Sequence, residues 1–137
     1  MGIEGLMKVG IAVKDLEKVS GILADALGLI TGEVVAYKPY QMRYRIFTIG
    51  DFFIEVIEPT GSDGPIARFI ETNGEGLQHM TFRVTNIEKV IAELKGKGIR
   101  FIQETPVQEK TPLGLANFVF LRPKECHGVL VQLMEIR

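Results

Sequence analysis

The sequence predicts an α+β fold made of two copies of a β-α-β-β-β unit, with a central cleft where Lys8, Glu55, His79 and Gln132 converge. Three observations carry this reading. KVGIAVKDLEKV at 8–19 returns as HMTFRVTNIEKV at 79–90, at a constant offset of 71 residues from Lys8 and His79 through Val19 and Val90. IEVIEP at 54–59 returns as VQLMEI at 131–136 at an offset of 77, which matches Glu55 to Gln132. In both halves the hydrophobic period also switches from two to 3.6 and back, as a strand–helix–strand unit requires.

Each element follows from its own pattern. Residues 6–13 alternate, with Met7, Val9, Ile11 and Val13 on one side and Lys8, Gly10 and Ala12 on the other, which is a strand. Asp15 caps a helix whose Leu16, Val19, Leu23 and Leu27 form an apolar stripe closed by Gly28. Three strands are expected near 30–37, 43–49 and 52–58, with Gly50-Asp51 as the turn of a hairpin. The segment from Pro59 to Gly76 is rich in Gly and Pro and joins the halves, with a short helix starting at Pro65. In the second half Asn86 caps a helix with the stripe Ile87, Val90, Ile91 and Leu94, followed by Gly98. Strands near 99–104, 116–121 and 129–135 complete it. One domain over 1–137 is expected, with repeat one at 6–59, a linker at 60–76 and repeat two at 77–137.

The period-two rule separates candidate functional side chains from core. If the apolar residues of the first strand pack under its helix, Lys8 points the other way. On the matching strand Met80, Phe82 and Val84 are core, which leaves His79, Thr81 and Arg83 opposite. Glu55 and Gln132 interrupt otherwise apolar strands, and a pseudo-twofold would bring all four polar residues to one surface. A single strand histidine is often only a hydrogen-bonded structural residue, and Glu55 can be a simple partner of Lys8, since a buried carboxylate needs one. All three tyrosines fall in YKPYQMRYR, where Tyr37, Tyr40 and Tyr44 interleave with Lys38, Arg43 and Arg45. Arg and Lys beside Tyr suit a carboxylate or phosphate on a flat body, so Tyr40, Arg43, Tyr44 and Arg45 are candidate substrate-binding residues. An exposed, solvated strand pair is the plainer alternative.

Bulk properties limit the partners. The 137 residues are 46% apolar and 24% charged, with a net charge of −1, the profile of an ordinary globular chain. That balance gives no global field for nucleic acid or an anionic membrane. Cys126 is the one cysteine, which rules out an intramolecular disulfide and a cysteine-rich zinc site. MGIEGLMKVGIAV has neither the basic start nor the long apolar run of a signal peptide, and no stretch has the length of a membrane helix. A soluble cytoplasmic protein is the expectation.

VGIAVKDLEK at 9–18, LGL at 27–29, GDFFIEVIEP at 50–59, SDGPIARFIETNGEGLQHMTFRV at 62–84 and FLRPKECHGVLVQL at 120–133 together resemble the vicinal oxygen chelate superfamily of glyoxalases, ring-cleaving dioxygenases and drug-binding resistance proteins. Within it the likeness is nearest to methylmalonyl-CoA epimerases. The resemblance implies a cup-shaped mixed sheet, a homodimer, and a four-ligand metal site whose positions fall on Lys8, Glu55, His79 and Gln132. Lys8 departs from that pattern, because an ammonium has no lone pair to give. Gln132 departs more mildly, with a neutral amide where a carboxylate is usual. The family's acid/base glutamate before the third strand is also missing, since YKPYQMR holds no acid.

Two functions follow from these residues. One is an enzyme, an isomerase, epimerase or lyase acting on a small carbonyl or acyl-thioester substrate, with Lys8, His79 and Glu55 as catalytic residues. In that case Glu55, His79 and Gln132 hold one divalent ion (Co, Ni, Mn or Zn), or no metal is bound at all. The other is a metal-free binding protein for a small anionic ligand, with Lys8 supplying the positive charge. A structural subunit with a vestigial site is the third possibility.

Overall fold

The computed structural model describes residues 2–137, which form two compact units. The first unit is Lys8–Gln78; the second joins the residues up to Met7 with His79–Arg137. Strand β1 (Ile3–Ala12) therefore contributes to both.

In the first unit residues 8–12 of β1 run parallel to the strand Phe52–Pro59, with Gly10 opposite Glu55 and Ala12 opposite Ile57. That strand forms a hairpin with Met42–Ile49, turned at Gly50, whose φ of 54° favours a residue without a Cβ. Two short strands, Ile30–Thr31 and Val35–Tyr37, pair with the far edge of Met42–Ile49. In chain order these are β2 (30–31), β3 (35–37), β4 (42–49) and β5 (52–59), and the sheet order is β2-β4-β5-β1 with β3 also on β4. The single strand expected at 30–37 is thus broken. Gly32 turns away there, and its carbonyl accepts from Arg45 Nε at 2.8 Å.

Helix α1 (Leu16–Ser20) starts at Asp15, whose carboxylate accepts from Lys18 N–H at 3.1 Å. Its continuation, Gly21–Ala26, is π-helical, with Leu27 N–H reaching Ile22 O at 3.0 Å. The wider turn takes up an extra residue and rotates the expected stripe. Leu27 ends up 64% exposed, and Leu29 packs instead against the cluster of Val13, Leu16, Phe47 and Val56. Helix α2 (Pro65–Asn73) begins at the expected proline.

The second unit repeats the plan. Thr85 N–H donates to Gly2 O at 2.8 Å, and a Cβ on Gly2 would stand 2.6 Å from Thr85 O, so the chain can pass there only as glycine. Strand β6 (Gly76–Val84) leads to Asn86, which caps α3 (Ile87–Gly96). Strands β7 (Val107–Thr111), β8 (Gly114–Phe120) and β9 (Val131–Ile136) follow, in the sheet order β6-β9-β8-β7. Val84, Ile87, Val90, Ile91, Phe101, Val119, Leu121, Val131 and Leu133 fill the space under α3.

The strand expected at 99–104 is reduced to one bridge, Phe101 to Leu121. Beyond it a side chain replaces the ladder, because Gln103 Oε1, not a backbone carbonyl, accepts from Phe120 N–H at 2.8 Å. The third strand lies instead at 107–111, where VQEKT between Pro106 and Pro112 is too polar to stand out.

Registers show that the two units are built alike. Gly10 faces Glu55 as Thr81 faces Gln132, and Ala12 faces Ile57 as Arg83 faces Met134. The fold is therefore α+β with two β-α-β-β-β units. Among the described residues no helix is long and apolar enough to cross a membrane.

One carboxylate ties each last strand to the first helix of its unit. Glu58 Oε2 accepts from Leu16 N–H at 2.8 Å, while its Oε1 accepts from Arg43 Nε at 2.7 Å. Seventy-seven residues on, Glu135 accepts from Asn86 N–H at 2.9 Å and Ile87 N–H at 3.3 Å, with Arg137 at 3.1 Å. These oxygens satisfy N–H groups that a helix start leaves open, and they meet its positive end. Burial pushes the Glu135 carboxyl up, but the Asn86 and Ile87 N–H groups, with Arg137, outweigh it and hold its pKa below the usual carboxylate value. A group with a lowered pKa stabilises the fold above its unfolded value and loses that effect as pH falls through the folded one. Glu135→Gln should therefore cost about 1 kcal/mol at neutral pH. The gap to wild type should close in acid, as followed by urea unfolding across a pH series.

Candidate functional site

In the first unit strand alternation turns one side of β1, β4 and β5 toward α1. The paired positions of the other side are Lys8, Gly10 and Ala12 on β1, Glu55 and Ile57 on β5, and Tyr44 and Ile46 on β4. On it the Lys8 ammonium donates to Glu55 Oε1 at 2.7 Å, with 5% and 9% of the two side chains exposed. Two opposite charges removed from water need each other, and neither could remain there alone without a large desolvation cost. The lysine and glutamate chosen from the sequence are therefore a bonded pair.

The second unit presents the equivalent side of β6, β8 and β9. Gln132 Oε1 accepts from the Thr81 hydroxyl at 2.6 Å, and both residues are buried. His79 is buried too, and its ring stands edge-on to Phe120 with centroids 5.7 Å apart. Phe120 in turn meets Phe118 at 5.8 Å. Phe120 was not singled out from the sequence, and Thr81 only as sharing the face of His79. The signal for Thr81 was its register, since it stands where the first unit has Gly10.

The basic and aromatic cluster divides between the two sides of its strand. Arg43 pairs with Glu58 and Arg45 with Val56 across the ladder, so both lie on the α1 side, away from Lys8 and Glu55. Hydrogen bonding to Glu58 and its charge raise the Arg43 pKa further above its ordinary value. Tyr44 is buried on the Lys8 side. Tyr40 belongs to a 3-10 turn at 38–40 and packs edge-on against Tyr37, with ring centroids 5.0 Å apart.

The chemistry of these donors does not fit a divalent metal. Lys8 offers an ammonium, one Glu55 oxygen accepts a hydrogen bond from it, and the Gln132 carbonyl oxygen accepts one from Thr81. Among the described residues no group of three His, Cys, Asp or Glu side chains is placed to hold such an ion. What the first unit offers instead is a fixed ammonium at the end of a buried strand position, a charge able to meet an anionic oxygen.

Removing one member of the pair tests its energetics. Lys8→Met should lower the unfolding free energy by about 3–5 kcal/mol, because it leaves Glu55 buried and unpaired. Adding Glu55→Leu should return most of that loss in urea titrations. An equal deficit in the double variant would show that packing, and not charge, is the source.

Residues 7–116 match the Glyoxalase/Bleomycin resistance protein/Dioxygenase superfamily. The chain is 36% identical to the mitochondrial methylmalonyl-CoA epimerase of Mus musculus over 129 residues, 93% of this chain and 71% of that one. It superposes on methylmalonyl-CoA epimerase from Mycobacterium tuberculosis with a TM-score of 0.91 at 27% identity, covering 98% and 89% of the two chains. A methylmalonyl-CoA epimerase solved in complex with methylmalonyl-CoA and NH4+ gives a TM-score of 0.89 at 25% identity, covering 98% and 95%. The chain thus belongs to the Glyoxalase/Bleomycin resistance protein/Dioxygenase superfamily, and it is similar there to methylmalonyl-CoA epimerases.

Proposed function

We propose that the protein is an isomerase of acyl-CoA thioesters that moves the proton α to the carbonyl and uses the Lys8 ammonium as its built-in cation. The buried ion pair of Lys8 and Glu55 at 2.7 Å carries this reading. Removing an α-proton from a thioester leaves an enolate, whose oxygen must be met by positive charge, and epimerisation needs a group to return the proton from the other side. In the relatives' fold a substrate is known together with NH4+. Here the ammonium belongs to the chain, and its strand fixes it.

The roles divide by chemistry. The Lys8 Nζ donates to the enolate oxygen as it gains charge. Glu55 takes the α-proton, and the electron pair of the broken C–H bond moves onto the carbonyl. A water molecule returns a proton to carbon from the other face, and the hydroxide left takes the proton held by Glu55, so charge and atoms balance. In the second unit the Thr81 hydroxyl donates to the Gln132 carbonyl oxygen. Tyr44 lies on the same side of the sheet as Lys8. A lyase would need a bond other than C–H to break, and nothing in these residues supports that step.

Incubation with methylmalonyl-CoA and related 2-substituted acyl-CoAs in D2O tests the reading by NMR. Deuterium should enter at the α-carbon, before and after treatment with a chelator. Lys8→Met should reduce the rate by about 10²–10³-fold, the loss usual for one oxyanion donor, with melting curves confirming that the variant is folded. Thermal stabilisation by acyl-CoAs without exchange would make the protein a binder of such anions. Neither exchange nor stabilisation would sink both readings.

A further inference from the structure

A cavity of about 330 Å³ opens in the second unit at the carboxyl end of α3. Lys95, Arg100 and Arg122 bring positive charge to it, while Ile99 and Phe101 give it an apolar floor. Those two apolar residues also pack in the cluster beneath α3, which places the cavity on the helix side of that unit's sheet. Thr81 and Gln132 are register mates on the other side, and His79 shares it with them by strand alternation. The cavity is therefore distinct from the candidate site of its own unit. A smaller hollow shares Arg100 and Arg122 and adds Lys124 and Glu125.

The fold holds these cations without neutralising them all. Arg122 N–H donates to Arg100 O at 3.0 Å, which keeps the two residues together. Arg122 Nε donates to Phe101 O at 3.3 Å. Among the described residues that is the one hydrogen bond of its guanidinium, so the two terminal nitrogens keep the fork that matches a pair of oxyanion oxygens. Glu125 lies 3.5 Å from Arg100 Nε and offsets one charge. Glu104 offsets at most a second, against the four cations Lys95, Arg100, Arg122 and Lys124. The carbonyl oxygens at the end of α3, which would repel an anion, are occupied. Leu94 O accepts from Lys97 and Ile99 N–H, and Lys95 O from Gly98 N–H, each at 3.0 Å.

We propose that Arg100 and Arg122 form a binding site for a small phosphate monoester, a dianion joined to a compact apolar body. The positive charge left over after Glu104 and Glu125 are paired matches the two negative charges of such a group, and a guanidinium fork takes two of its oxygens at once. Ile99 and Phe101 supply surface for the apolar body, and the volume lies at the small end of ligand sites, which favours a compact one. The assignment rests on residues 95–125 alone and does not depend on the isomerase reading.

Titration of isotope-labelled protein with phenyl phosphate, followed by NMR, is the direct test. The backbone signals of Gly98, Ile99, Phe101 and Arg122 should move, with an affinity that falls as salt rises. Arg100→Gln/Arg122→Gln should bind about tenfold more weakly. If that variant loses its fold, Lys95→Gln/Lys124→Gln changes only exposed side chains and should still weaken binding about threefold. Inorganic phosphate should bind less tightly than phenyl phosphate, because it gains nothing from Ile99 and Phe101. Equal binding of the two would overturn the monoester and leave the free ion as ligand. No movement of these signals, or unchanged affinity in the folded variants, would overturn the site itself. Acetyl-CoA should leave phenyl phosphate in place. Displacement by it would also overturn the proposal, since the cavity would then serve a thioester ligand, and none of these failures touches the isomerase reading.

Discussion

Each unit depends on a carboxylate that closes its last strand onto the start of its first helix. Glu58 and Glu135 do this with a carboxylate oxygen aimed at equivalent targets, the N–H groups of Leu16 and Ile87. Once the helix is pinned to that end of the sheet, one side of every strand is committed to packing beneath it. The opposite side is then available for polar groups in fixed register. The two units differ in what steadies the carboxylate. Arg43 does so from β4, whereas the register mate of Glu135 on β8 is Asn117, and the cation comes from Arg137. Asn117 is buried with no partner for its Nδ2, a cost of the kind usually avoided in a core.

Several of these relations were readable from the residues alone. The offsets of 71 and 77 give the two units, and the register of the strand pairs follows them residue for residue. Asp15 and Asn86 cap their helices as the sequence indicates. Other features depend on contacts that no local pattern encodes. The apolar stripe after Leu16 predicts Leu27 inside, but a π turn is a change of hydrogen-bond partner and leaves no mark in composition. Glu58 and Glu135 sit inside the very echo that pointed to Glu55 and Gln132, yet their role needs the helix start beside them. Arg43 and Arg45 looked like ligand-binding side chains because cations near tyrosines are visible, while the side of the strand they occupy depends on the register with β5.

The polar residues on the side away from the helices also show what repetition with divergence does to chemistry. Where one unit keeps a full ion pair, the other keeps a neutral hydroxyl–amide bond and an imidazole against an aromatic ring. Both solutions satisfy buried polar atoms, but they differ in charge and in protons available to move. An ion pair held in a poorly solvated strand position can respond strongly to a new negative charge, since little water is present to screen it. The functional reading rests on the ion pair that the first unit alone keeps.

Strand β7 has a different consequence. It is only five residues long, it ends the sheet order of its unit, and Pro106 and Pro112 bracket it. Gln108 and Lys110 point outward along it. A bare sheet edge is a template on which another chain can add a strand and start an aggregate. Shortness, flanking prolines that cannot donate, and an exposed charge all oppose such growth. The polarity that hid this strand from a reading of the sequence is thus also its protection against runaway assembly.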